Sequence, residues 1–123
     1  MATNYIKSDG NKIEICLEVL FQEDKDGVVV SFAPALNLSG CGRSIQEAKE
    51  SFQIVLREYI LYTREHGTLE EDLIRHNWTK SSVMPKTVFT GLELDSSLFF
   101  NEQAKRITRG NFSKSNERIS ISC

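Results

Sequence analysis

VVVSFAPALNLSGCGRSIQEAKESFQIVLREYILY, residues 28–62, decides the fold. Val28 to Phe32 is an apolar run of β-branched and aromatic residues, which reads as a strand. Pro34 ends it, because proline has no N–H to give to a sheet ladder. Leu36 to Cys41 reads as a brief third strand, and Ser39-Gly40-Cys41-Gly42 as a glycine corner. Ser44 and Glu47 then form a capping box, which opens a helix by satisfying backbone N–H groups that have no partner in the first turn. Ile45, Ala48, Phe52, Val55, Leu56, Tyr59 and Ile60 recur at helical spacing and make one apolar stripe, so the helix is expected to lie across a sheet.

Toward the N-terminus, Ile13, Ile15, Leu17, Val19 and Phe21 alternate with Lys12, Glu14, Cys16, Glu18 and Gln22, the pattern of a half-buried strand. Leu20 is the exception on the polar side. Glu23-Asp24-Lys25-Asp26-Gly27 supplies turn chemistry, so this strand and Val28 to Phe32 form a hairpin. Toward the C-terminus, Gly67 stops the long helix and Thr68 with Glu71 caps a short one through about Arg75, anchored by Leu69, Leu73 and Ile74. Trp78 is expected to be buried against helix or sheet.

Beyond Trp78 the periodicity weakens. Lys80-Ser81-Ser82 reads as a linker, and Pro85 limits Val83 to Phe89 to an edge strand. Ser97 to Arg109 reads as one helix before Gly110, and Arg118 to Ser122 alternates like a strand. The expectation is an α+β protein: a small antiparallel sheet of three or four strands with one long helix packed on it, a short helix and a C-terminal extension. Residues 1–79 form the β-β-β-α unit and residues 80–123 the extension, which completes the sheet or an oligomer interface.

The composition suits one folded domain. A chain of 123 residues with 40% hydrophobic and 26% charged side chains has enough apolar material for a core and too much for wholesale disorder. No apolar run reaches the roughly 20 residues that span a bilayer, and Met1-Ala2-Thr3-Asn4-Tyr5 lacks the regions of a signal peptide, so the expected location is the cytoplasm. Cys16, Cys41 and Cys123 are too few and too dispersed for a disulfide framework or a zinc site. The formal charge of −2 speaks against general nucleic-acid binding and suits a basic protein partner.

Pro34 and Leu36, Gly40, Gly42 with Ser44, and Glu47 with Ala48 resemble the hallmark of the HicB antitoxin family. That hallmark is a strand ending in Pro-x-Leu, a short glycine-containing strand, and Gly-x-Thr/Ser leading into a helix that begins with Glu-Ala. The resemblance implies a partial ribonuclease H fold and a protein that neutralises a HicA toxin, a small basic RNA-cleaving enzyme, by masking its active site. Many members add a C-terminal ribbon-helix-helix or helix-turn-helix module for promoter DNA. Here Ile119 to Ser122 is followed only by Cys123, and one irregular helix follows Trp78, so neither module is legible.

No residue pattern calls for catalysis or a cofactor. Glu14 and Glu18 share a strand face, but no acidic residue recurs at ligand spacing on later elements to make a metal-dependent nuclease. His66 and His76 sit at helix C-termini, where a cation interacts favourably with the helix dipole. The expected function is therefore an antitoxin-type binding protein, with Glu14, Glu18, Asp24 and Asp26 facing a small basic partner. Ile54 and Leu61 project away from the helix's core stripe, and with Ile119 and Ile121 they are the expected oligomer interface. Two alternatives are an orphan homo-oligomer of the same fold and a DNA-binding regulator using Lys105, Arg106, Arg109, Lys114 and Arg118 in the tail.

Overall fold

One long strand organises the molecule. In the computed structural model, which describes residues 4–9, 12–83, 86–98 and 101–122 (the side chains of Ser82, Val83 and Ser122 apart), the elements in chain order are β1 (Tyr5–Ser8), β2 (Lys12–Glu23), β3 (Val29–Ala33), β4 (Leu38–Gly42), α1 (Ile45–Glu65), α2 (Leu69–Arg75), β5 (Thr79–Val83), β6 (Lys86–Thr90), α3 (Leu94–Ser97), α4 (Glu102–Arg109) and β7 (Ser113–Ser122). The strands build one antiparallel sheet. It has more strands than expected, because the sequence hides β1 and β5.

β7 pairs with β2 from Lys12↔Ser122 to Phe21↔Ser113 and so occupies one edge of β2 over all but its last two residues. β1 pairs with Ile13 to Cys16, and β3 with Leu20 to Glu23. A strand has only two edges, so β1 and β3 share the other one and the sheet forks. One branch continues through β6 to β5, the other through β4. Between them, Leu17 to Val19 have no partner strand on that edge.

The odd-numbered residues of β2 face α1. Ile13, Ile15, Leu17, Val19 and Phe21 pack with Ala48, Phe52, Leu56 and Ile60 in the main core. α2 and the indole of Trp78 close the same side, the indole N–H donating to the Ala35 carbonyl at 2.7 Å. On the even side Leu20 and Phe32 pack under Ala104 and Ile107 of α4, and burial continues through Glu18 to Cys16, leaving Glu14 and Lys12 exposed. This explains Leu20: at the α4 end the sheet is buried on both faces, so alternation gives way.

Gly40 and Gly42 carry the packing of α1. A Cβ on Gly40 would lie 2.8 Å from the Phe52 backbone nitrogen, and one on Gly42 would lie 2.5 Å from Glu47 Cβ. The helix rests directly on β4, and only glycine leaves room. The capping box holds the same corner: Ser44 Oγ accepts from Glu47 N–H at 3.1 Å, and Glu47 Oε1 accepts from Arg43 N–H at 3.3 Å.

Several expectations need correction. Lys80-Ser81-Ser82 is not a linker but the middle of β5, and Val83 to Phe89 is not one strand, because the β5–β6 hairpin turns there. Pro85 itself lies outside the described residues. β6 is internal, paired to β1 and β5. The single helix expected from Ser97 to Arg109 is two, and β7 starts five residues before Arg118. Ile45 and Ile74, assigned to buried faces, are 49% and 56% exposed, and Thr68 makes no side-chain cap. Among the described residues no helix is long and apolar enough to cross a membrane.

Replacing Gly42 by alanine is expected to cost about 1–3 kcal/mol, the range for an added methyl group in a tightly packed contact. Thermal unfolding by circular dichroism checks this, with a midpoint lowered by several degrees as the expected outcome. An unchanged midpoint would show that α1 can lift off β4 freely.

Candidate functional site

The eight residues expected to bind partners divide in the structure. Glu18 does not face solvent: it is 5% exposed and sits where the sheet forks. Asn4 supplies what a missing strand would have given, its Oδ1 accepting from Glu18 N–H at 2.8 Å and its Nδ2 donating to Glu18 Oε1 at 3.1 Å and to Leu92 O at 2.8 Å. Leu94 N–H donates to Glu18 Oε1 at 3.2 Å, and Lys114 Nζ lies 3.2 Å from Glu18 Oε2. Both carboxylate oxygens are thus engaged inside the molecule. The alternation of β2 was read correctly, but the fork and the α3 segment cover that side, so Glu18 is a structural group. Asn4 was missed because a single asparagine before a short strand carries no local signal.

Glu14 does remain exposed, paired with Lys12 at 3.5 Å. Its surroundings are not acidic, however, since Lys7 lies directly opposite it on β1. Asp24 and Asp26 are exposed in the β2–β3 turn. Asp24 Oδ1 accepts from Asp26 N–H at 2.8 Å and Val28 N–H at 3.0 Å, so Asp24 shapes the turn. Ile121 belongs to the protomer's own core at 2% exposure, because β7 adds to β2 of the same chain. That removes it from any interface.

Ile54 and Leu61 are 64% and 46% exposed. Ile54 lines a groove of about 290 Å³ with Glu50, Gln53, Arg57, Arg118 and the half-buried Ile119. The structure therefore brings together two of the residues expected at an interface, Ile54 and Ile119, with Leu61 two turns further along α1. At about 100° per residue, Glu47, Glu50, Ile54, Glu58, Leu61 and Glu65 fall within about 40° of one direction. All six are exposed. All four acidic side chains of α1 belong to this set, whereas its three basic ones, Lys49, Arg57 and Arg64, fall outside that range. The outer surface of α1 is thus an acidic stripe with two apolar anchors. Val29 pairs with Gly42, which puts the Asp24–Asp26 turn and the start of α1 at the same end of the sheet. The sequence reading placed the acidic surface on the sheet; it lies on the helix.

A polar cleft of about 420 Å³ opens between the β3–β4 turn, the end of α2 and the start of α4, with Asn37, Arg75, His76, Asn77 and Asn101 in its lining. Asn37 and Asn77 have φ of 56° and 66°, which asparagine tolerates better than most residues. Each ends or turns a segment. Beside the cleft, Asp72 ties α2 to α1: it accepts the Tyr59 hydroxyl hydrogen bond and lies 3.5 Å from the Arg75 guanidinium, while its carbonyl meets His76 Nδ1 at 2.8 Å. Burial, reinforced by the bond to Asp72, pushes the Tyr59 hydroxyl far above its usual range. Tyr59 therefore stays protonated and is a fixed donor. Among the described residues no three His, Cys, Asp or Glu side chains form a metal-binding group.

The tail cations do not make one patch. Lys114 is held by Glu18 and Lys105 by Glu102, the latter at 3.2 Å, while Arg118, opposite Cys16 on the edge strand β7, also lines the groove beside Ile54. No protein-family model, curated protein or solved structure matches the chain.

Asn4→Ala is expected to destabilise the protein by about 2–4 kcal/mol, since it strands the Glu18 N–H and removes a donor from a buried carboxylate. Urea unfolding would show a lower midpoint with an unchanged slope. Glu14→Ala, at an exposed pair, is expected to shift stability by less than about 1 kcal/mol.

Proposed function

We propose that this protein is a non-enzymatic, antitoxin-type binding module of the HicB kind. The core unit β2-β3-β4-α1, three antiparallel strands followed by a long helix packed across them, has the element order of the partial ribonuclease H fold. Its partner is a small basic protein, of the class of the RNA-cleaving HicA toxins. The observation that carries this reading is the outer stripe of α1. Glu47, Glu50, Glu58 and Glu65 present negative charge around Ile54 and Leu61, and beside Ile54 a groove that Arg57 and Arg118 also line opens toward β7. Charge complementarity steers a basic partner onto such a face, and desolvated apolar anchors hold it there. The exposed acidic turn lengthens the same surface at one end, whereas Glu14, beside Lys7 and Lys12, contributes little to it.

A second reading uses the same stripe. In an orphan homo-oligomer, Ile54, Leu61 and Ile119 would be covered by another copy, which the two isoleucines in the groove favour. DNA binding by the tail has less support, because Lys105 and Lys114 are already paired.

Co-expression with the adjacent reading frame, followed by affinity capture on this chain and light scattering, separates the readings. The antitoxin reading expects a stoichiometric complex that silences the neighbour's RNA cleavage. Glu50→Lys with Glu58→Lys is expected to weaken that complex at least about tenfold, or about 1.4 kcal/mol, chiefly by slowing association. Glu14→Lys is expected to leave it nearly unchanged. A complex indifferent to the α1 reversal would move the interface elsewhere, and a homo-oligomer eluting alone would favour the second reading.

A further inference from the structure

The face of the sheet opposite α1 is covered by α4 at its Leu20 end and stays closed through Glu18 and Cys16, 5% and 3% exposed; it opens around these residues and beyond them. Away from that end, the registers place side chains from four or five neighbouring strands in rows. One row runs Arg118, Cys16, Tyr5, Thr90, Thr79, and the next runs Ser120, Glu14, Lys7, Val88, Ser81. Lys12 and Lys86 stand at the end beyond them. Five strands span about 19 Å at the usual spacing of about 4.8 Å.

Cations and hydroxyls make up most of the exposed part of this grid. Lys7, Lys12, Lys86 and Arg118 are exposed, as are the hydroxyl residues Ser120, Thr79 and Ser81. Its carboxylates are partly committed: Glu14 pairs with Lys12 at 3.5 Å, and Asp9 Oδ1 accepts from Lys12 N–H at 2.9 Å. Lys7, Lys12 and Lys86 rim a small depression of about 50 Å³ together with Ser8, Asp9 and Glu14. Tyr5 is the one aromatic ring in the rows, with the Lys7 ammonium 4.9 Å from its centroid.

The large exposed apolar side chains are elsewhere. Ile45, Ile54, Leu61, Tyr62 and Ile74 lie on α1 and α2, and Phe112 precedes β7. A protein interface is organised around desolvated apolar or aromatic anchors, and this face offers cations and hydroxyls instead. Those are the groups that hold phosphate and sugar. A surface one layer deep receives a single strand laid across it, with Tyr5 available for base stacking. The acidic stripe of α1 is no obstacle, because it lies on the far side of the helix layer. Sheet and helix together separate the two faces by more than the screening length of about 8 Å at physiological salt.

We propose that the open sheet face, through Lys7, Lys12, Lys86 and Arg118, binds single-stranded nucleic acid by its phosphate backbone, over a short site on the order of four nucleotides. The inference does not depend on the antitoxin reading, since it concerns the opposite face and needs no protein partner.

Fluorescence anisotropy of a labelled oligouridylate about a dozen nucleotides long, titrated with the full chain at about 50 mM salt, tests this. Binding is expected, with a log–log salt slope between about −2 and −3, as three or four phosphate contacts would give for a single strand. Lys7→Gln and Arg118→Gln are each expected to weaken binding and to reduce the slope by about 0.7. Both sites are exposed, and an unchanged circular dichroism melt shows that each variant is folded. Lys105→Gln with Arg109→Gln, on α4, is expected to leave the slope as it is. No anisotropy change at about 50 mM salt overturns the proposal. So does binding that ignores Lys7 and Arg118, or that falls as much with the α4 pair.

Discussion

Everything in this fold depends on how the two edges of β2 are filled. One edge belongs to β7, and the other must serve both β1 and β3. A shared edge leaves a gap of unpaired backbone, and a buried N–H without a partner is costly. The Asn4 side chain closes the gap by bonding to Glu18 as a strand would. Glu18 in turn collects donors from Asn4, Leu94 and the Lys114 ammonium. A buried carboxylate held in this way is weak evidence for net stability but strong evidence for a fixed arrangement. It ties the N-terminus, the α3 segment and the C-terminal strand to one point.

The central β-β-β-α unit was legible in the sequence because its signals are local. Ser44 and Glu47 sit at capping-box spacing, Phe52, Leu56 and Ile60 repeat at helical period, and the glycines fall where helix and strand touch. β1 and β5 were not legible for the opposite reason. Tyr5 to Ser8 is only four residues long, and Thr79 to Val83 is polar enough to resemble a linker; each is a strand because a neighbour offers it a ladder. Tertiary pairing overrides propensity most easily in short segments.

The site residues followed the same division. The exposure of Ile54 and Leu61 could be derived from helical geometry alone. The burial of Glu18 could not, because it results from Asn4, Leu92, Leu94 and Lys114, all distant in sequence or silent as motifs. Alternation along β2 separates two faces correctly, yet says nothing of what later folds over the polar one. The outcome is a molecule with two unlike surfaces, an acidic helix with apolar anchors on one side and a sheet of cations and hydroxyls on the other.

β7 has a consequence for how the chain reaches this state. It pairs Ile121 with Ile13 and Ile119 with Ile15, joining the last strand to the first half of the sequence. Contacts of such separation form slowly, since the chain must close a long loop before they reward it. During synthesis from the N-terminus, the edge of β2 that β7 fills stays open until Ser113–Ser122 have been made. An open edge flanked by Ile13, Ile15, Leu17 and Val19 is a template for pairing with other nascent chains. Loss of β7 would therefore leave the central strand permanently unpaired on that side, and aggregation would be the natural fate of such a product.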